Sequence, residues 1–263
     1  MTNKHEEGFM PNGKPSSQEW IRELFEYDRA YPDKDAKKIL FQAMNTDSLT
    51  QVLARSGIDH LVEEIETTQT PTGVLFFDLM GFKEVNDFQG HDAGDQVLTD
   101  TAETLSNIFR TGHKGDRRKS RRTVYELSKD RRTYSLEEDI VFRKLTEDSE
   151  LGRIGGDEFL VLLPRVKTYQ ALENIGFRVA GAMNQDLKCQ PSSIGAALYS
   201  PKENSMVETI KNADQAMFAA KRALKKDESR RGLDRSESGF ATYHPDSNFS
   251  IYLPEQIRAK LSE

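Results

Sequence analysis

The sequence predicts a domain that packs amphipathic helices against buried strands, and three observations carry this expectation. Short, nearly continuous apolar runs occur at Gly73-Val74-Leu75-Phe76-Phe77, Leu160-Val161-Leu162-Leu163 and Ser193-Ile194-Gly195-Ala196-Ala197-Leu198, as strands buried in a sheet require. Longer segments between them place apolar residues at i, i+3, i+4 and i+7, the period of a helix with one buried face. Finally, 263 residues that are 36% apolar and 30% charged allow one substantial core with much solvated surface, an ordinary domain with attachments.

In chain order, 1–15 carries Gly8, Pro11, Gly13 and Pro15 and reads as a disordered leader. Ser16-x-x-Glu19 has capping-box spacing before Trp20, Ile21, Leu24 and Phe25, a stripe that Pro32 ends. Ala36, Ile39, Leu40 and Ala43 mark a second helix, so 16–45 is a helical extension. Ile58, Leu61, Val62 and Ile65 mark the next helix, and Pro71-Thr72-Gly73 leads into the first buried strand, which ends on Asp78. A turn at Gln89-Gly90-His91 precedes a helix carrying Val97, Leu98, Ala102, Leu105, Ile108 and Phe109, with Asp92 and Asp95 where acids suit the helix dipole.

From about 111 to 150 an insertion changes sign along its length: nine Lys or Arg against three acids between Thr111 and Arg132, then a mainly acidic half. Arg153-Ile154-Gly155-Gly156-Asp157-Glu158-Phe159 reads as a hairpin, its two glycines permitting positive φ and close approach of a ligand. Ala171, Leu172, Ile175, Val179 and Ala182 give another helix, as do Val207, Ile210, Ala213, Met217 and Ala220 between about Met206 and Lys226. The stretch 229–263 reads as a polar linker and a small C-terminal appendage, with a last helix after Pro254.

Composition excludes several classes. A net charge of −6 gives no general attraction to nucleic acid or anionic membrane. The single cysteine, Cys189, excludes an internal disulfide and a cysteine-cluster zinc site, and no run approaches a membrane span. The chain therefore reads as soluble and cytoplasmic.

The chemistry is expected where acids meet strand ends. Asp78 ends one buried strand, and Asp157 and Glu158 open another; if these strands are neighbours, their carboxylates converge and call for a cation. An oxygen-only set suits Mg²⁺, which takes one or two carboxylates and leaves its other positions to water and phosphate. Lys83 and the backbone N–H groups of Leu79 to Phe82 stand where phosphate would sit. Taken singly, Asp78 and Asp95 read as capping acids, Asn86 as a turn residue, and Lys83 and Lys221 as solvated surface.

These residues resemble the GGDEF-domain diguanylate cyclases. Gly155-Gly156-Asp157-Glu158-Phe159 matches that family's signature, and Asp78 to Asp95, with Gly90-His91-Asp92-Ala93-Gly94-Asp95 at its end, resembles its nucleotide-binding segment. Asp47-Ser48-Leu49-Thr50 with Arg55, Ser193-Ile194-Gly195 and Ala213-Asp214-Gln215-Ala216-Met217-Phe218-Ala219-Ala220-Lys221 follow the family's order. The resemblance covers 46–228 and implies a palm-like α+β domain of the nucleotidyl cyclase type, a mainly antiparallel sheet flanked by helices. It also implies condensation of two GTP into cyclic di-GMP with loss of pyrophosphate, in a homodimer whose two copies each present one GTP. By position, Asp78, Asp157 and the Leu79 carbonyl would hold Mg²⁺, with Mn²⁺ as an alternative, and Glu158 would assist proton transfer or metal binding. Phe82, Lys83, Lys221 and Lys225 would line the phosphates, and Asn86 and Asp95 would read the guanine edge.

Departures from the family are informative. Met80 stands where a second acid is frequent, Gln51 and Ala54 replace the usual Gly and Asn, and Lys225 replaces an Arg. The family's Arg-x-x-Asp motif for product inhibition would fall on Thr146 and Ser149, so inhibition at that place is not expected. The insertion reads either as a solvated excursion or as a docking arm whose basic part, 111–132, meets an acidic partner, nucleic acid or a second copy. Two other functions stay open: a non-catalytic GTP-binding or scaffold module acting through the insertion, and a related cyclase making mixed purine products.

Overall fold

A computed structural model describes residues 44–109, 146, 148–186, 188–231, 237–246 and 248–262. Its strands are β1 (Leu53–Ala54), β2 (Thr72–Leu79), β3 (Glu150–Arg153), β4 (Glu158–Pro164), β5 (Ser192–Tyr199), β6 (Gly239–His244) and β7 (Asn248–Tyr252). The helices are α1 (Arg55–Thr68), α2 (Phe82–Gln89), α3 (His91–Phe109), α4 (Tyr169–Gln185), α5 (Met206–Arg231) and α6 (Pro254–Ser262). The leader 1–15, helices expected within 16–43 and most of the 111–150 insertion lie outside the described residues.

All seven strands form one sheet in the order β1-β3-β4-β2-β5-β6-β7. Pairing is antiparallel at β3–β4, β4–β2, β2–β5 and β6–β7, and parallel at β1–β3 and β5–β6. This is the α+β architecture, with a mainly antiparallel sheet flanked by helices, that the family resemblance implies.

Strand β2 lies centrally and is buried along its whole length, which explains its unbroken apolar run. Alternation then sorts its side chains. Leu75, Phe77 and Leu79 join Phe159, Val161, Leu163, Ile194, Ala196 and Leu198 in a core with Leu98, Leu105 and Phe109 of α3 and Leu172, Ile175 and Val179 of α4. Val74 and Phe76 join Leu160, Leu162 and Ala197 against Ile58, Val62 and Ile65 of α1 and Ala213 and Met217 of α5. Asp78, next in the even series, therefore belongs to the face that α5 covers. Cys189 is buried, and that burial pushes its thiol up to about 12, as suits a packing role.

The C-terminal segment differs from the expected linker and appendage. Helix α5 continues to Arg231, and β6 extends the main sheet by pairing parallel to β5. Phe240 is wholly buried and packs edge-on against Phe177 at 4.9 Å, while Tyr252 stacks at 4.6 Å and donates its hydroxyl to Glu173 at 2.9 Å. The strand was hidden because Gly-Phe-Ala-Thr-Tyr-His mixes polarity and its burial comes from distant partners.

Helix α5 approaches β5 at Gly195, where an added Cβ would lie 1.9 Å from the Ala213 carbonyl oxygen and 2.2 Å from the Met217 nitrogen. Both obstacles are backbone, so the helix must move. Gly195→Ala is expected to cost about 3 kcal/mol, a fall of roughly 6–12 °C in Tm by thermal unfolding. Gly156→Ala, where a Cβ meets nothing within 4 Å, is the matched control and should shift Tm little.

Candidate active site

Three side chains stand in a row across the sheet on the α5 face. Asp78 lies opposite Glu158 of β4 on one side and opposite Ser193 of β5 on the other, and directly opposed residues share a face. Asp157 immediately precedes β4, and its carbonyl accepts from the Leu79 N–H at 3.3 Å, which ties the hairpin turn to the end of β2. The sequence-predicted convergence of the strand-end acids is thus built by two antiparallel neighbours.

The turn 154–157 is held at each carbonyl that two arginines can reach. Arg153 donates from Nε and Nη2 to the Gly156 carbonyl at 3.1 and 2.8 Å, and Arg55 Nη1 donates to the Ile154 carbonyl at 3.3 Å. The Ile154 N–H closes the hairpin onto the Glu158 carbonyl at 3.0 Å. Arg153 is itself anchored by Asp47 at 3.3 Å, whose burial would raise its carboxyl but is outweighed by hydrogen bonds from Thr50 and the Arg153 charge. Neither glycine of the turn adopts the positive φ expected of it; among the described glycines that backbone occurs at Gly81 and Gly90. Space is the reason instead. A Cβ on Gly155 would fall 2.3 Å from Glu158 Oε2, and Gly156 faces open space where a ligand can approach.

Burial and neighbouring charge raise two of these carboxylates. Burial, then the Asp78 charge, lifts Asp157; burial, then the charges of Asp157, Asp78 and Asp214, lifts Glu158. Lys221 on α5 answers this, its Nζ 2.6 Å from Asp78 Oδ2. The oxygen-only donors, their mutual repulsion and a lysine ammonium standing among them fit a hard cation. No group of three or more His, Cys, Asp or Glu among the described residues forms a ready-made cage. The donor set suits an ion that completes its shell with water and phosphate.

The nucleotide segment is placed as follows. Gly81 takes a left-handed φ of 74°, the turn that swings the chain from β2 into α2. Of the N–H groups expected to face phosphate, those of Leu79 and Met80 are already spent, the latter on Pro191 at 2.8 Å. The free donors move one step on, to the first turn of α2 at Phe82, Lys83 and Glu84. Asn86 lies over Gly94 of α3, where a Cβ would be 2.0 Å from its Oδ1, and the neighbouring Asp95 is exposed. The two expected guanine readers thus lie on adjoining helices at the same place. Lys83 and Lys225 are exposed and make no ion pair among the described residues; Phe82 is half-buried against the core.

Sequence reasoning missed roles for Asp214, Ser193, Arg55 and Arg153. Asp214 precedes Lys221 by two helical turns, and its carboxyl is raised by partial burial and then by the Asp78 charge. That seven-residue spacing was the available signal.

Comparisons with known proteins place the sequence in a family. The sequence matches the family described as "Diguanylate cyclase, GGDEF domain" over residues 44–120 and 140–227. It is 29% identical over 195 residues to Diguanylate cyclase DgcM of Escherichia coli K12, covering 72% of this chain and 38% of that protein. Cyclic di-GMP phosphodiesterase PdeR of the same organism is 27% identical over 199 residues, 72% of this chain and 24% of the relative. The chain thus spans less than half the length of these curated relatives. A solved coiled-coil and GGDEF structure of DgcB from Caulobacter crescentus, in complex with c-di-GMP, aligns at 19% identity and a TM-score of 0.49, covering 78% of this chain and 94% of that one. With the family match running through both halves of the carboxylate row and through Lys221, the chain belongs to the GGDEF-domain diguanylate cyclase family.

Proposed function

We propose that this chain is an active diguanylate cyclase that condenses two GTP into cyclic di-GMP as a homodimer, each copy holding one nucleotide. The observation that carries this reading is the Glu158–Asp78–Ser193 row, with Asp157 at its end and Lys221 above it, beside the open face of Gly156. In each of two in-line steps a 3′-hydroxyl oxygen bonds to an α-phosphorus, the bond to the β-phosphate breaks, and pyrophosphate leaves with its electron pair. Asp78 and Asp157, with the Leu79 carbonyl, would hold Mg²⁺ or Mn²⁺. Such ions, when bound, polarise the α-phosphate and acidify the 3′-hydroxyl.

The chain's own groups do the rest. Lys221, Lys225 and Lys83 and the first turn of α2 with Phe82 supply positive charge and N–H donors to the triphosphate. Asn86 and Asp95 offer an acceptor and a carboxylate to the guanine edge, and Gly94 lets them close on one another. Glu158, raised by burial and then by its acidic neighbours, is suited to hold a proton near the attacking hydroxyl or to share the cation. Arg153 and Arg55 keep the turn from relaxing as charge builds.

One observation favours a second reading, a GTP-binding module without turnover: a relative of this same segment is named as a phosphodiesterase, not a cyclase. Pyrophosphate release from GTP separates the two. Among the described residues no helix is long and apolar enough to cross a membrane.

Asp157→Asn and Asp78→Asn should each lower cyclic di-GMP formation about 10²–10³-fold with circular dichroism unchanged; near-normal turnover in either would overturn the site. Feedback at the usual upstream place is not expected, because Thr146 and Ser149 are buried at 1% and 5% exposure. The Ser149 hydroxyl contacts the Phe109 and Thr146 carbonyls at 3.0 and 2.7 Å. Initial rates should therefore hold in micromolar cyclic di-GMP, and a loss of about tenfold would contradict this.

A further inference from the structure

Lys221 and a divalent cation would compete for the same carboxylate. Lys221 Nζ lies 2.6 Å from Asp78 Oδ2, with the two side chains only 28% and 11% exposed. That is a charge-assisted hydrogen bond in a shielded place, and a cation on the same carboxylate would set a double positive charge beside the ammonium. Yet the same lysine is a flexible point charge at the position expected to meet a nucleotide phosphate.

Resting on the reading of Asp78 as a cation ligand, we propose that Lys221 is an exchangeable counter-ion. It neutralises Asp78 in the empty site and releases it to a divalent cation only as its own ammonium passes to a nucleotide phosphate. A cation arriving alone would break the ion pair and leave a partly buried ammonium unpaired beside a double positive charge. A cation arriving with nucleotide offers that ammonium a new partner. Cation and nucleotide binding are therefore positively coupled through this side chain, over and above any phosphate oxygen that ligates the cation directly.

Two further features support the exchange. The Ser193 hydroxyl is fully buried and has no hydrogen-bond partner among the described residues, directly across the sheet from Asp78 on the same face. A buried donor left unmade is costly, and an Asp78 carboxylate that turns from Lys221 toward the cation can offer it the second oxygen. Asp214, two turns before Lys221 on α5, is raised by burial and then by the Asp78 charge, so it stands close enough to add to the negative charge around Lys221.

The test measures Mn²⁺ affinity of the full chain by electron paramagnetic resonance, without and with a GTP analogue that cannot be cleaved at the α-phosphate. In the unaltered protein the analogue should tighten Mn²⁺ about tenfold or more. In Lys221→Met, Mn²⁺ alone should bind about tenfold tighter than in the unaltered protein, and the tightening by the analogue should shrink by a similar factor. Lys221→Arg should keep Mn²⁺ alone weak. Unchanged or weaker Mn²⁺ binding in Lys221→Met, with the analogue still bound normally by the unaltered chain, overturns the exchange and leaves the site reading intact. Failure of the unaltered protein to bind Mn²⁺ even with the analogue overturns both. Should the methionine variant unfold, the unaltered protein still decides: no coupling between Mn²⁺ and the analogue refutes the proposal.

Discussion

Helix α5 lies so close on β5 that its backbone touches the sheet where Gly195 has no side chain. Helices usually stand about 10 Å off a sheet because side chains fill the gap. Here Gly195, with Ala213 on the helix, removes that filling beside the strand end where Asp78, Glu158 and Ser193 form their row. The result is that Lys221, whose stem has four carbons, spans the remaining distance to Asp78. A helix carried one side-chain layer farther out would leave the acid row facing water and the lysine free in it. The small-residue pattern of α5 is thus as much a part of the site as the charges.

The second condition is that acids stay close without tearing the turn apart. Asp157, Glu158 and Asp78 repel, and a four-residue hairpin loop is a weak support by itself. Arg153 and Arg55 meet the Gly156 and Ile154 carbonyls, the Leu79 and Ile154 N–H groups take those of Asp157 and Glu158, and Asp47 holds Arg153 in place. The guanidinium forks fit carbonyl oxygens that point out of a tight turn, and their charge offsets part of the repulsion. Rigid placement of this kind is what in-line phosphoryl chemistry asks of a protein.

Much of this was legible beforehand, for physical reasons. Strand β2 announces itself because a strand covered on both faces must be apolar throughout, and the helices because one-sided burial enforces their period. The candidate acids could be read from where apolar runs stop. The strand β6 could not, since Thr242 and Tyr243 gain their burial from α4 and α5 and not from local pattern. Nor could the pairing of Lys221 with Asp78, 143 residues apart, or the reason for Gly155, which concerns room for Glu158 and not backbone handedness. Contacts of that sort are decided by packing, and local sequence carries no trace of them.

The Ser149 hydroxyl rests on the Phe109 carbonyl, so the chain leaves α3 and re-enters at β3 through neighbouring doorposts. Closing a longer loop between fixed ends raises its entropy cost only logarithmically, by about 0.6 kcal/mol for each doubling. The body of the domain is therefore nearly indifferent to how much chain passes between those posts. Such a place is a natural port in the architecture, where length and composition can change over generations while the acid row, anchored on other strands, keeps its geometry.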